Sequence, residues 1–163
     1  MTALALGMNV AVRADLAEAH DKAWAAIAAP GTWLDGAKRV AVAAEIRHAQ
    51  GCAGCAHIQQ ALSPDSFKGA HDSLGALGAA EVELIHRVVC DPGRLSERWS
   101  QSILGQGVAE GDYVEIVGLI AMVMMLDVCT RALGVPARAL PVPVDGAPSR
   151  YRPPGAKKQA AWL

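Results

Sequence analysis

The apolar residues of this sequence recur at the spacing of α-helices, and the period-two alternation that marks β-strands is nearly absent. Aromatic residues, which favour strands, make up only 4% of the chain. A length of 163 residues fits one domain, and an apolar content of 52% is enough to build a core. We therefore predict a single all-α domain, a helical bundle, over residues 1–135.

Capping and stop signals divide this domain into helices. Six of the nine prolines fall between Pro136 and Pro154, so residues 136–163 are predicted to form an extended tail. We expect the tail to pack on the domain or on a neighbouring subunit, anchored by Trp162. The predicted helices cover 15–29, a segment from the Thr32-x-x-Asp35 capping box to Gln50, a helix starting near Cys52, a short helix after Ser63-Pro64, 79–90, 95–104 and 112–134.

Charge and hydropathy exclude several classes of protein. The formal net charge is -1 and no run of basic residues is present, so we expect no nucleic-acid partner. The longest uncharged stretch in the apolar C-terminal third, 116–126, is shorter than the ~20 residues that span a bilayer. No Lys or Arg precedes Arg13, so the charged start of a secretory signal is missing. These features predict a cytoplasmic protein that does not enter the membrane.

The most specific motif is Cys52-x-x-Cys55, which follows Gly51 at the start of a predicted helix. A thiol in the first turn of a helix faces free backbone N–H groups, which lower its pKa and raise the fraction of reactive thiolate. Three-residue spacing also suits reversible disulfide formation. The pair is therefore predicted to be redox-active, as such pairs often are in reducing compartments.

Two other interpretations of the cysteine pair remain open. The cysteines could serve only as small buried hydrophobic residues, because free cysteine packs well in cores. They could also supply half of a structural zinc site, which needs two further ligands. The remaining cysteines, Cys90 and Cys129, are isolated in the sequence and do not form a second pair.

A carboxylate and an imidazole precede the cysteine pair on the same predicted helix. Glu45 and His48 are three residues apart, and continuing the helix would bring both within an arc of about 80° that includes Cys52 and Cys55. The four side chains could then line one cleft. An exposed Glu–His pair on the surface of the helix is the alternative.

A second Glu-x-x-His pair, Glu83 with His86, lies on the helix predicted over 79–90. Together with Glu18 and Glu115, the two pairs contain the ligand types of a carboxylate-bridged di-iron bundle. Their order along the chain differs from that of ferritin-like bundles. A metal-binding helical bundle is therefore kept as an alternative function.

The order of these features resembles the alkylhydroperoxidase AhpD-like, carboxymuconolactone decarboxylase-like superfamily. The resemblance covers roughly residues 30–135. It implies an all-helical subunit in a symmetric homo-oligomer, with no cofactor, whose cysteine pair reduces hydroperoxides. A protein or lipoyl-type dithiol would then reduce the pair again. The elements that carry the resemblance are Trp33-Leu34-Asp35-Gly36, an Ala-rich helix, Cys52-Ala53-Gly54-Cys55 and a late helix from Tyr113-Val114-Glu115 to Arg131-Ala132-Leu133-Gly134.

The resemblance also implies roles for the two cysteines. In that family the second cysteine attacks peroxide and the first resolves it, which corresponds to Cys55 and Cys52. The best-known proton relay of the family uses a Glu twelve residues before the first cysteine and a His four residues after the second. Those positions hold Val40 and Gln59 here, so the relay does not carry over.

We expect Glu45, His48 and His86 to replace the missing relay. An imidazole with an ordinary pKa of ~6.5 can accept a thiol proton near neutral pH. Specifically, at least one of His48 and His86 should reach a sulfur, with Glu45 orienting His48. The predicted function is that of a thiol-dependent peroxidase or disulfide oxidoreductase, and a non-catalytic oligomerisation domain is a further alternative.

Overall fold

The computed structural model describes residues 12–157, and every regular element in this range is helical. The prediction of an all-α chain is therefore confirmed for this part of the molecule. Two short 3₁₀ turns, at Pro64–Ser66 and Pro92–Arg94, interrupt the connections. The α-helices are α1 (Ala14–Ala28), α2 (Gly36–Ala49), α3 (Ala53–Gln60), α4 (Ala79–Cys90), α5 (Glu97–Gly105) and α6 (Glu110–Ala132).

Side-chain caps fix where several helices begin. Asp35 is the N-cap of α2, where its carboxylate accepts a hydrogen bond from the backbone N–H of Lys38. The N-cap is therefore Asp35, the last residue of the expected Thr32-x-x-Asp35 capping box, and α2 begins after Asp35 rather than after Thr32. Ser63 caps the first 3₁₀ turn as predicted, with proline at the first position. Two helix starts differ from prediction. Helix α5 begins at Glu97 rather than at Leu95, and α6 begins at Glu110, with Ala109 as its N-cap, rather than after a cap at Asp112.

Helix α2 lies at the centre of the bundle and packs against α1, α4 and α6. Helix α4 packs against α2 and α6 and also contacts the short helices α3 and α5. The two helices α2 and α4 therefore form a rigid frame beside α3, where the cysteine pair lies. Fully buried aliphatic side chains fill the space between the helices: Ile27, Val42, Ile46, Leu84, Ile85, Ile103, Ile116 and Val123.

Ion pairs tie α2 to α6 at two levels. Near one end Arg39 bonds Glu115, and the same carboxylate accepts the backbone N–H of Trp33 at 2.6 Å. Near the other end Arg47 makes two hydrogen bonds with Asp127, of 2.6 and 2.8 Å. Paired and hydrogen-bonded charges avoid the cost of burying an isolated ion, so these contacts fix the register of α2 against α6.

Helix α6 is long and apolar enough to cross a membrane by length and composition, with a mean hydropathy of 1.9 over its most apolar window. The central helix of a soluble bundle meets the same two criteria. In this fold α6 supplies core residues such as Ile116, Leu119 and Val123, and 39% of the window is buried.

After α6 the chain from Val135 to residue 157 forms neither helix nor strand. It follows α1 and the α1–α2 connection, where the N–H of Val144 bonds the carbonyl of Ala28 at 2.9 Å. Arg138 contributes a further ion pair with Asp21 at 2.8 Å. The predicted anchor Trp162 lies outside the described residues.

Candidate functional site

The cysteine pair lies at the junction between α2 and α3. The chain leaves α2 after Ala49, and Cys52 is the N-cap residue of α3, as the sequence predicted. Cys55 is in the first turn of α3. Only 3% of each cysteine is exposed, and both are free thiols.

One triad of side chains is built around Cys55. Its Sγ lies 3.4 Å from Nδ1 of His86, and the other ring nitrogen, Nε2, lies 2.9 Å from a carboxylate oxygen of Glu45. The side chains of His86 and Glu45 are completely buried. An ionised Glu45 can only accept a hydrogen bond, so it holds the proton of His86 on Nε2 and leaves Nδ1 free to accept one from the thiol. We call these three residues the Cys55 triad.

A second triad is built around Cys52. Its Sγ lies 3.6 Å from Nδ1 of His71, whose Nε2 lies 2.9 Å from a carboxylate oxygen of Glu83. Nδ1 of His71 is also 3.5 Å from Sγ of Cys55, so this ring contacts both sulfurs. We call Cys52, His71 and Glu83 the Cys52 triad.

His71 lies on the irregular segment 67–78, which side-chain contacts hold over the cysteines. The backbone N–H of Leu74 and the hydroxyl of Ser73 donate to Glu45 at 3.1 and 3.4 Å. Asp72 accepts the backbone N–H of Ala53, the first residue of α3, at 3.2 Å. The carboxylate that orients His86 therefore also fixes the segment that carries His71.

The electrostatics of the Cys52 triad favour a thiolate and an imidazolium. Burial raises the pKa of Cys52, but hydrogen bonds from the backbone of Cys55, from His71 and from the backbone of Asp72 outweigh it, so the pKa is lowered. Burial lowers the pKa of His71, but its contacts with Glu83 and Cys52 outweigh this and raise it. Both pKa shifts act in the direction of charge separation within the triad.

The Cys55 triad has the opposite balance. A hydrogen bond with the Cys90 thiol, followed by burial, raises the pKa of Cys55. Burial also lowers the pKa of His86, despite the opposing hydrogen bond with Glu45. Cys55 is therefore held as a neutral thiol beside a neutral imidazole that can accept its proton.

Four of the five predicted site residues come together in this site: Cys52, Cys55, Glu45 and His86. The predicted contact between an imidazole and a sulfur is present at His86. His48 does not join them, because its ring centre is 6.4 Å from that of His86 and its Nε2 is buried without a hydrogen-bond partner. The expectation that Glu45 orients His48 is therefore wrong, because the packing of α4 on α2 brings His86 to the carboxylate and the segment 67–78 occupies its other oxygen.

The ligand set expected for a di-iron bundle is not assembled. Glu115 bonds Arg39 near the first turn of α2, and Glu18 pairs with Lys22 on the surface of α1. Both Glu-x-x-His pairs are also split, since Glu83 bonds His71 rather than His86. Among the described residues, the two Glu-x-x-His pairs and the two lone glutamates therefore do not converge on one centre.

Sequence reasoning missed His71 and the position of Cys90. Cys90 ends α4, donates to the carbonyl of Ala49 at 3.3 Å and lies against Cys55. His71 lies in a segment with no helical periodicity, so its spacing from the cysteines carries no information. The available signal was compositional: a histidine next to Asp72, between the glycines Gly69 and Gly75.

No protein family, curated protein or solved structure gives a significant match to this chain. The geometry of the site is therefore the basis for assigning a function to this protein.

Proposed function

We propose that this protein is a thiol-dependent peroxidase or disulfide oxidoreductase that cycles the Cys52–Cys55 pair between dithiol and disulfide. The observation that carries the proposal is that each buried thiol contacts an imidazole that a carboxylate orients. A nucleophile, a base and an orienting group within hydrogen-bond reach are the arrangement that activates a thiol.

The first step uses the Cys52 triad. The Cys52 thiolate attacks the terminal oxygen of a hydroperoxide, which breaks the O–O bond and forms a sulfenic acid on Cys52. The leaving alkoxide or hydroxide takes a proton from the His71 imidazolium and departs as alcohol or water. This assignment reverses the cysteine roles that the family resemblance implies, because the Cys52 thiol is the one that ionises more easily here.

The second step uses the Cys55 triad. His86 accepts the proton of the Cys55 thiol through Nδ1, 3.4 Å away. The resulting thiolate attacks the sulfur of the Cys52 sulfenic acid, forms the disulfide and expels hydroxide, which His86 protonates to water. A protein or lipoyl-type dithiol then returns the pair to the reduced state by thiol–disulfide exchange.

The proposal includes an AhpD-like fold and a reducing compartment such as the cytoplasm. In its support, the Cys-x-x-Cys motif begins a short helix beside a buried Glu–His pair, within a bundle of helices. A dithiol must be kept reduced to work in this way, and the cytosolic thiol pool supplies that condition.

We also propose that the protein is a homo-oligomer that associates through α6. One face of this helix is exposed and apolar: Val114, Met125 and Val128 are 67, 56 and 48% exposed, and Gly118 and Ala121 lie between them. These positions recur at helical spacing, and a self-complementary apolar helix face favours a closed symmetric assembly.

Sedimentation at micromolar concentration tests this assembly. We expect a species larger than the 17.0 kDa chain, and Met125→Glu should shift it toward the monomer. Leu62→Glu is the matched control, because Leu62 is fully exposed but lies after α3, away from this face. A monomeric wild-type protein would refute the assembly.

Peptide mapping tests the redox proposal. Trypsin places Cys52 and Cys55 on the peptide 48–68, Cys90 on 88–94 and Cys129 on 99–131. After mild peroxide treatment and blocking of free thiols, we expect peptide 48–68 to have lost two hydrogens while the other two peptides are alkylated. A protein that keeps all four thiols under these conditions would leave the non-catalytic interpretation in place.

A further inference from the structure

Four potential metal-binding atoms converge at the candidate site. Sγ of Cys52, Sγ of Cys55, one ring nitrogen of His71 and one ring nitrogen of His86 all lie within 4.8 Å of one another. The cysteine pair alone offered only half of a closed zinc site, and the two histidines supply the missing ligands.

Three sulfur–nitrogen spacings among these atoms match a tetrahedral zinc site. With Zn–S bonds of ~2.3 Å and Zn–N bonds of ~2.0–2.1 Å, tetrahedral angles place sulfur and nitrogen about 3.5 Å apart. Nδ1 of His71 is 3.6 Å from Sγ of Cys52 and 3.5 Å from Sγ of Cys55. Nδ1 of His86 is 3.4 Å from Sγ of Cys55.

Hydrogen bonds between pairs of these groups explain their convergence less well than a shared cation does. A neutral or charged imidazole carries at most one proton on Nδ1, yet Nδ1 of His71 faces two sulfurs at nearly equal distances. Sγ of Cys55 likewise faces the Nδ1 atoms of both histidines. A cation at the common centre would contact all four atoms at once.

The surroundings of the four atoms are also those of a metal site. Each histidine has its second nitrogen, Nε2, 2.9 Å from a carboxylate, and this contact fixes the tautomer in which Nδ1 is free to bind a metal. Two thiolates would balance the charge of a divalent cation. We propose that the reduced protein binds one Zn²⁺ ion through Cys52, Cys55, His71 and His86.

Such a site is closed, because four protein ligands complete the tetrahedron and leave no position for water or substrate. Zinc binding and disulfide formation then exclude each other, since both use the same two sulfurs. Oxidation by hydrogen peroxide balances as two zinc-bound thiolates plus H₂O₂ giving one disulfide, two hydroxide ions and free Zn²⁺. Binding itself needs no redox chemistry, whereas release on oxidation rests on the proposed function.

The test is a zinc titration of the full-length chain, stripped of metal and reduced under argon, against a chromophoric chelator. We expect one Zn²⁺ per chain, with Co²⁺ giving the absorption bands of a tetrahedral thiolate site. His71→Ala and Cys52→Ser should each weaken Zn²⁺ binding by at least 100-fold, and Glu83→Gln by about 10–100-fold. Because His71 lies on the irregular segment 67–78 and Glu83 is partly exposed, these variants keep the test valid even if His86→Ala does not fold.

Two matched controls complete the experiment. Cys129→Ser and His57→Ala replace a cysteine and a histidine outside the cluster and should bind Zn²⁺ as the wild type does. Failure of the reduced wild type to bind at micromolar Zn²⁺, or equal binding by Cys52→Ser, would overturn the zinc site without affecting the redox proposal. Zinc binding by a protein whose thiols resist peroxide in the metal-free state would instead refute the redox proposal and leave the zinc site standing.

Discussion

The Cys55 triad and the Cys52 triad contain the same three residue types but are built in different ways. In the Cys55 triad, His86 and Glu45 project from α4 and α2, and both side chains are completely buried. In the Cys52 triad, His71 comes from the irregular segment 67–78, and 32% of the Glu83 side chain is exposed.

This difference in construction is accompanied by a difference in charge. In the Cys55 triad, a hydrogen bond with the Cys90 thiol and then burial raise the pKa of Cys55, and burial lowers the pKa of His86, so both groups are held neutral. In the Cys52 triad burial is outweighed: hydrogen bonds lower the pKa of Cys52, and contacts with Glu83 and Cys52 raise the pKa of His71. The Cys52 triad therefore favours a thiolate and an imidazolium. The same residue types can therefore provide the nucleophile in the Cys52 triad and a proton acceptor, His86, in the Cys55 triad.

The largest expected effect is the loss of either cysteine. Cys52→Ser and Cys55→Ser should each lower peroxide turnover by about 10³-fold or more, because neither variant can form the disulfide. The two should differ in what they accumulate: Cys55→Ser should trap a sulfenic acid on Cys52, detectable as a dimedone adduct by mass spectrometry. A dimedone adduct on Cys55 in the Cys52→Ser variant, with none in the other, would restore the opposite assignment.

Loss of the base in the Cys55 triad comes next. His86→Ala should slow disulfide formation by about 10²-fold or more, because the Cys55 thiol loses its proton acceptor. Rapid-quench measurement of the disulfide after peroxide addition checks this. Sulfenic acid formation on Cys52 should keep its rate, so a slower first step would mean that the two triads do not divide the chemistry as described. Circular dichroism checks that the variant folds.

The two triads also differ in how far the sequence predicts them. Helical spacing located α4 with the bounds observed, and it marked Glu45 and His86 as candidates. It could not pair them correctly, because the partner of Glu45 is set by how α2 packs on α4 and not by distance along one helix. His71 has no periodic signal at all, since its position depends on tertiary hydrogen bonds from Leu74 and Ser73 to Glu45.

The pH dependence of alkylation tests the charge difference directly. In the background Cys55→Ser, Cys90→Ser, Cys129→Ser, the remaining Cys52 should react with iodoacetamide with a midpoint below the ordinary thiol pKa of ~8.5. Thiolate is the reactive form, so the rate should fall as the pH drops through the lowered pKa. Adding His71→Ala should move the midpoint upward, because the thiolate loses a hydrogen bond from the imidazolium. A midpoint that His71→Ala leaves in place would contradict the Cys52 triad.

The smallest expected effect comes from the groups that hold the two carboxylates. Trp99 donates its Nε1–H to Glu83 at 3.1 Å, and Ser73 donates its hydroxyl to Glu45 at 3.4 Å. Trp99→Phe removes a hydrogen bond to a charged group, which costs about 1–3 kcal/mol in the free energy of unfolding and raises the pKa of Glu83. Ser73→Ala should cost less, because the N–H of Leu74 still donates to Glu45 at 3.1 Å.

These two variants should separate the triads even though neither touches a sulfur. Without the competing donor, the carboxylate of Glu83 accepts more strongly from His71 and raises the pKa of that imidazole, so Trp99→Phe should lower the midpoint of Cys52 alkylation and leave the rate of disulfide formation through His86 unchanged. Ser73→Ala should leave the alkylation midpoint in place. Urea unfolding measures the stability of both variants, and the alkylation assay measures the midpoint. Equal shifts in the two variants would show that the carboxylates act as one coupled network rather than as parts of two separate triads.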